Sequence, residues 1–308
     1  MNKLTKISMT ALSTALIAGS VQAMDYSISG GASIAYTSVN TSSDSNPWSM
    51  GDSITFSTSG DLDNGMTVSV SLEMDDHGSD AIDDKSIKID TGNGVVGFAT
   101  SVGGIGGIGT IANKVPNAMT PVFEATDATD YGQADQKMSS AGQWGYKHTI
   151  GGIGISIGYT PGGNTNGGAD TGWSVSYADL MDGLEVGFGQ QDDGTTSESE
   201  TAYVKYVTGG ITVAYQKSKV DYESTGTSDE EAIHYGVSMA VNDDLSVSVG
   251  RQDVEIGTSA SEEENTGVGG SYTMGSVKVG LAFNKASNVG GSTGVDYEAT
   301  IGSVTFSF

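Results

Sequence analysis

The sequence predicts an all-β protein, a transmembrane antiparallel β-barrel of sixteen strands. Three observations support this fold class. Apolar and small polar residues alternate along most of the chain, short and long connections alternate between the strands, and the strand pattern continues to the last residue, Phe308. An alternation with a period of two is typical of strands whose two faces meet different environments.

The first 23 residues have the features of a cleaved secretory signal peptide. Lys3 and Lys6 precede an apolar stretch, and the segment ends in small residues at Ala23. Such a segment is removed on export and is too short to serve as a membrane helix. We therefore expect residues 1–23 to be lost and residues 24–308 to form a single barrel domain.

Period-two alternation dominates the rest of the chain. In residues 26–36 every even position is apolar, aromatic or glycine, and serine occupies most of the positions between them. The same pattern recurs in residues 68–72, 153–159, 173–177, 211–215, 233–241 and 277–283. Beyond the signal peptide there is no run of 18 apolar residues, so the sequence offers strands rather than helices for crossing a membrane.

Connections of two lengths join these strands. Seven are short and carry the glycine, asparagine and aspartate of tight hairpins, as in residues 61–65 (DLDNG). Eight are longer and polar, and residues 102–141 form the longest of them, with 40 residues. Short turns at one end and long loops at the other indicate an outer-membrane barrel, in which closure pairs every backbone group without water. A soluble β-sandwich explains the alternation of apolar and polar residues but not the regular alternation of short and long connections.

The last strand contains an irregularity. Ile301 continues a series of odd-numbered apolar positions, whereas Val304, Phe306 and Phe308 are even-numbered. We expect a β-bulge at Gly302 and Ser303 to absorb the change. Phe308 is then expected at the boundary between lipid and water, where aromatic side chains concentrate.

Composition restricts the functions that the chain can have. Its 308 residues include no cysteine, 13 Lys/Arg and 38 Asp/Glu, which give a net charge of −25. Loss of the signal peptide removes two lysines and changes the net charge to −27. Such a polyanion is unsuited to nucleic acids, which bind clustered lysine and arginine. The acid excess instead predicts a lumen that favours cations.

The chain resembles the general porins of Gram-negative bacteria, in particular the alphaproteobacterial type. The resemblance rests on the signal peptide, the DLDNGMTVSVSLE turn and strand at residues 61–73, the long third loop at 102–141 and the terminal phenylalanine. It implies a homotrimer of sixteen-stranded barrels in the bacterial outer membrane. It also implies a third loop folded into each lumen, and recognition of the last strand by the barrel-assembly machinery.

The expected function is a diffusion channel for small hydrophilic solutes that weakly favours cations. A solute-specific porin is the alternative, and it would need an ordered ladder of aromatic or basic residues along the bore. A non-conducting structural or adhesive barrel is a further alternative. We expect no enzyme, because an outer-membrane hydrolase would need a nucleophile or an Asp–His pair converging in a narrow barrel.

The resemblance places acidic residues of the third loop opposite basic residues on the wall. The candidate acids are Glu124, Asp127, Asp130 and Asp135. The candidate wall lysines, chosen because they alternate with apolar neighbours and so face inward, are Lys88, Lys147 and Lys205. Opposite charges across a narrow bore would create a transverse field that orients dipolar solutes.

Other ligands and partners are expected at the membrane surface. The function needs no cofactor, although acidic loop clusters such as Asp75 with Asp76 and residues 262–264 offer oxygen ligands for Ca²⁺. The parity of Arg251 directs it outward near the outer interface, where lipopolysaccharide or a neighbouring subunit lies. Outer-membrane lipid, small solutes and ions complete the expected partners.

Overall fold

The computed structural model describes residues 24–40, 46–75, 82, 84–100, 105–124, 142–162, 168–223 and 228–308. The signal peptide predicted for residues 1–23 lies outside these ranges. Three of the candidate loop acids, Asp127, Asp130 and Asp135, also lie outside them.

The described residues form sixteen antiparallel strands that close into one barrel, as the sequence predicts. Each strand pairs with its neighbours in chain order, and the last pairs with the first. The strands are β1 Asp25–Val39, β2 Trp48–Asp61, β3 Thr67–Asp75, β4 Asp84–Asp90, β5 Val95–Thr100, β6 Gln143–Ile150, β7 Ile153–Thr160, β8 Asp170–Tyr177, β9 Leu184–Asp192, β10 Ser197–Thr208, β11 Ile211–Tyr222, β12 Glu230–Ala240, β13 Leu245–Ile256, β14 Glu263–Met274, β15 Val277–Ser287 and β16 Tyr297–Ser307.

The two ends of the chain meet where the barrel closes. The backbone N–H of Phe308 donates to the Gly30 carbonyl at 3.0 Å, and the Gly30 N–H donates to the Phe308 carbonyl at 2.7 Å. A Cβ at Gly30 would lie 2.9 Å from the Phe308 ring, so glycine leaves room for the terminal aromatic. Among the described residues, no helix has the length and apolarity needed to cross a membrane.

The outer face of the barrel is apolar. Val175 on β8 and Val247 on β13 are each 37% exposed, while the side chains that alternate with them face the interior. Aromatic side chains lie on the outer face towards the long loops, where Phe98 contacts Trp144 with ring centroids 4.9 Å apart. The apolar set therefore faces outward, which is the inverse of a globular protein and suits contact with lipid.

Within the described chain, charged side chains on the outer face lie towards the long-loop end of their strands, and most belong to the longer strands, although Lys85 faces outward on the short strand β4. Strands β3–β9 have six to nine residues, whereas β10–β16 have eleven or twelve. On β13, Arg251 faces outward, as predicted, and its guanidinium pairs with Asp253 at 2.7 Å and with Glu264 at 3.0 Å. These acids compensate a charge that would otherwise lie at the margin of the lipid.

The β-bulge expected in the last strand is wrong. Strand β16 keeps an unbroken register through Gly302 and Ser303 with both β1 and β15. Ile301 is 6% exposed because it points inward, where it packs with Ala282 and Met119. The apparent change of parity arises because an apolar residue lies on the inner face, beneath a segment of the long third loop.

Candidate functional site

Residues 105–124 of the long third loop line the inside of the barrel and are called the inner arc below. Ile105 lies against Gly97 on β5 and Gly145 on β6, and Val122 lies against Gly250 on β13. Further contacts reach β15, so the arc follows the interior past most of the strands. The third loop is therefore folded into the lumen, as the resemblance implies.

Glycines of the wall make room for the inner arc. A Cβ added at any of eight inward-facing strand glycines would lie within van der Waals reach of arc atoms: Gly97, Gly145, Gly189, Gly236, Gly250, Gly267, Gly269 and Gly280. A Cβ at Gly145 would lie 2.5 Å from the Ile105 carbonyl oxygen, and one at Gly280 would lie 2.8 Å from Met119 Cγ. Glycine within a strand commonly marks the close approach of another backbone, and here that backbone belongs to the same chain.

The buried amide of Gln216 on β11 fixes the middle of the inner arc. Its Oε1 accepts the Lys114 backbone N–H at 2.8 Å, and its Nε2 donates to the carbonyls of Ile111 and Ala112, both at 2.9 Å. Gln216 has no exposed surface. A side chain of the wall thus satisfies backbone groups that the irregular arc cannot pair within itself.

Three further wall side chains hold the rest of the arc. Ser174 on β8 contacts the Thr110 hydroxyl at 2.8 Å, and the Ser248 hydroxyl on β13 accepts the Ala118 N–H at 2.8 Å. Asn284 on β15 donates to the carbonyl of Pro121 at 2.8 Å. Together with Gln216, these bonds attach the arc to the wall along its length.

The inner face of β1–β3, called the bare sector below, has a different composition. Its inward-facing side chains include twelve serines and threonines that are exposed or half-buried: Ser27, Ser29, Ser33, Thr37, Ser49, Ser53, Thr55, Ser57, Ser59, Thr67, Ser69 and Ser71. The glycines of this sector, Gly31 and Gly51, have no atom of the arc within contact distance. The bare sector is therefore a hydroxyl-lined surface that the described part of the loop leaves open.

The candidate wall lysines lie on the inner face, towards the short-turn end of the barrel. The ammonium groups of Lys88 on β4 and Lys147 on β6 are close enough to repel each other. Lys205 on β10 forms an ion pair with Glu185 on β9, with Nζ and Oε2 2.5 Å apart. The wall thus carries cationic side chains on one flank of the bare sector, on β4 and β6, and on the opposite side of the barrel, on β10.

Glu185 is a functional candidate that sequence reasoning missed. Its Oε1 accepts a hydrogen bond of 2.5 Å from the Tyr203 hydroxyl and lies 3.5 Å from the ammonium of Lys114 on the inner arc. The signal was present in the sequence, since Glu185 alternates with Leu184 and Val186 just as the inward lysines alternate with their neighbours. In the contact between Lys114 and Glu185 the third loop contributes the lysine and the wall contributes the carboxylate. The resemblance implies the opposite arrangement, with acids on the loop and lysines on the wall.

The structure does not bring Glu124 to the candidate lysines. Its side chain is exposed at the end of the arc, and its backbone carbonyl accepts from Asn284 Nδ2 at 3.1 Å. The described residues contain no group of three or more His, Cys, Asp or Glu side chains placed to hold a metal ion. A role for the loop acids, and Ca²⁺ at the outer loops, stay predictions.

Comparisons with known proteins identify a family by its sequence model and similar folds among solved structures. A family model described as Gram-negative porin matches residues 8–302. No curated protein matches the chain. Among solved structures, OmpT, an outer membrane protein of Vibrio cholerae, has a TM-score of 0.69 at 15% identity, covering 94% of this chain and 100% of its own.

Two further solved structures are similar in fold. Salmonella typhi OmpF in complex with daunomycin has a TM-score of 0.68 at 12% identity, covering 92% of this chain and 97% of its own. A mutant of the Rhodopseudomonas blastica porin has a TM-score of 0.63 at 13% identity, with 92% and 100% coverage.

Proposed function

Because the chain belongs to the Gram-negative porin family, it is an outer-membrane channel, and we propose that small hydrophilic solutes cross it by passive diffusion with a weak preference for cations. The family and the fold indicate a channel rather than an enzyme. Such a channel is driven by the concentration gradient alone, so it needs neither a catalytic group nor a resident cofactor.

The bare sector is the observation that carries this proposal. A sixteen-stranded barrel is wide enough for an aqueous channel unless its interior is filled. The inner arc attaches to β5–β15, while the hydroxyls of β1–β3 stay accessible. Serine and threonine hydroxyls both donate and accept hydrogen bonds, so this surface can replace water around a passing solute without selecting one solute strongly.

The weak cation preference rests on the distribution of carboxylates. Inward-facing acids occur at both ends of the bare sector, with Glu73 and Asp75 towards the long loops and Asp61 at the short-turn end. We propose that the loop acids Glu124, Asp127, Asp130 and Asp135 add further negative charge to the same lumen. Inward lysines oppose this field, so the preference is expected to be weak.

Single-channel recording in planar bilayers tests the proposal. Purified protein should produce discrete conductance steps, and a KCl gradient should give a reversal potential on the cation-selective side. Membranes that stay closed would overturn the channel and favour a structural or adhesive barrel. A conductance that saturates with one solute and is blocked by it would instead identify a solute-specific porin.

We also propose the partners that the family suggests. Three copies assemble into a homotrimer, which native mass spectrometry in detergent would detect as a complex of three chains. The outward charges around Arg251 face the phosphates of lipopolysaccharide, and divalent cations such as Ca²⁺ would bridge the phosphates to the neighbouring acids. In this proposal the barrel-assembly machinery recognises the last strand, which ends at Phe308.

A further inference from the structure

We propose that Glu185 is a residue that determines ion preference beside the inner arc: it offsets two lysines that would otherwise draw anions into the lumen. The inference rests on the proposed function as a channel. It concerns one carboxylate of the wall rather than the acids of the loop.

The contacts of Glu185 place it between the wall and the arc. One carboxylate oxygen lies 2.5 Å from the ammonium of Lys205 on the adjacent strand. The other accepts the Tyr203 hydroxyl and lies 3.5 Å from the ammonium of Lys114. The Lys114 ammonium also lies 5.3 Å from the centre of the Tyr203 ring, so the aromatic face supports the same cation.

The surroundings of Glu185 fix its position. Tyr203 is 4% exposed and packs with Ile108 and Ile111 of the inner arc. Gly187, the next inward-facing residue of β9, lacks the Cβ that would collide with the Tyr203 ring. The backbone of Lys114 is held by Gln216. The carboxylate is thus positioned by side chains that are themselves fixed by packing.

The charges of this cluster reach the lumen. The side chains of Lys114, Glu185 and Lys205 are 24%, 23% and 26% exposed, so all three contact solvent inside the barrel. With Glu185 ionised the cluster carries one net positive charge, and without it the cluster carries two. The inward acids Asp25, Asp61 and Asp90 belong to β1, β2 and β4, on the other side of the lumen, and do not compensate this site directly.

Glu185→Gln is the direct test. Glutamine keeps an acceptor for the Tyr203 hydroxyl but removes the charge, so the fold should be retained. The ratio of K⁺ to Cl⁻ permeability, measured from reversal potentials at 0.1 M mean salt, should fall by about threefold. The effect should shrink at 1 M salt, where the screening length drops to about 3 Å, which a merely structural role would not produce.

Two companion variants complete the test. Lys205→Met removes one of the two bases and should raise the same permeability ratio. Glu200→Gln, on the outer face of β10, removes an equal charge outside the lumen and should leave the ratio unchanged. An unaltered ratio in Glu185→Gln, or an equal change in Glu200→Gln, would overturn the role of Glu185. Failure of the proposed function is distinguishable, because the unsubstituted protein would then produce no conductance steps.

Discussion

The bare sector and the arc-covered wall show how one alternating pattern serves two inner surfaces. Both present apolar side chains to the outside, as Ile54 on β2 and Val249 on β13 illustrate. On the inside the bare sector carries serine and threonine, whereas the covered wall carries glycine where the arc lies close and Gln216, Ser248 or Asn284 where it is hydrogen-bonded. The comparison indicates that inner composition follows contact with the loop, while outer composition follows contact with lipid.

The largest loss of stability is expected from replacing Gln216, which holds the inner arc against the wall. Gln216→Leu leaves the Lys114 N–H and two arc carbonyls buried without a partner. Each such group costs about 1–3 kcal/mol, so we expect the free energy of unfolding to fall by about 3 kcal/mol. Urea unfolding in lipid vesicles, followed by tryptophan fluorescence, measures the change.

The matched control is Gln190→Leu on the adjoining part of the wall. Gln190 is exposed on the outer face of β9, so the same substitution there should change stability by less than about 0.5 kcal/mol. Equal losses in the two variants would contradict the role of Gln216 in holding the arc.

The next largest effect is expected from adding one methyl group, which should destabilise the arc-covered wall but not the bare sector. Gly145→Ala puts a Cβ 2.5 Å from the Ile105 carbonyl oxygen, which belongs to backbone and has to move with the arc. Overpacking of this kind costs about 2 kcal/mol. Gly51→Ala, in the bare sector, meets only the movable Ser33 hydroxyl at 3.2 Å and should be nearly neutral.

The two glycine variants are compared by their unfolding midpoints in urea and by their single-channel conductance. Gly145→Ala should lower the midpoint and alter the conductance, because the arc shifts within the lumen. If Gly51→Ala proves as damaging as Gly145→Ala, then the two inner surfaces do not differ in the way described.

Neutralising the loop acids should produce a smaller, purely electrical effect. Replacement of Glu124, Asp127, Asp130 and Asp135 by their amides should lower the K⁺ to Cl⁻ permeability ratio by about twofold, since exposed charges in a wide, salt-filled bore are well screened. Four outward acids, Glu198, Glu200, Asp221 and Glu231, serve as the control set of equal charge. A ratio that stays the same in the loop variant would remove these acids from the selectivity mechanism.

Much of the fold could be predicted from the sequence, because strand parity and turn chemistry are local. The alternation around Val175 and Val247 predicts their outward direction, and glycines such as those at positions 151 and 152, which adopt φ of 53° and 76°, mark the tight turns. The prediction of a bulge was wrong because it considered only neighbouring residues. Ile301 is apolar because Met119, which is distant in sequence, packs against its cluster on the inner face.

The candidate site was less predictable for the same physical reason. Parity alone directs Lys205 and Glu185 inward, but their pairing depends on the register between β9 and β10, and the approach of Lys114 depends on the path of the arc. Glycines in strand interiors, such as Gly145 and Gly236, were a usable signal of a close backbone. The resemblance implies that a third loop enters the lumen, but only the folded chain shows which glycines it approaches.

Thiol accessibility tests the central claim most directly, because the chain contains no cysteine and each introduced thiol is unique. Single variants would place cysteine in the bare sector (Ser57→Cys), beside the arc (Ser218→Cys, 2% exposed) and on the outer face (Val249→Cys). In lipid vesicles, a charged, water-soluble thiol reagent should modify the first rapidly and reduce its conductance, while leaving the other two unmodified. Equal labelling of all three, or protection of Ser57→Cys, would contradict an open hydroxyl-lined path enclosed by an apolar exterior.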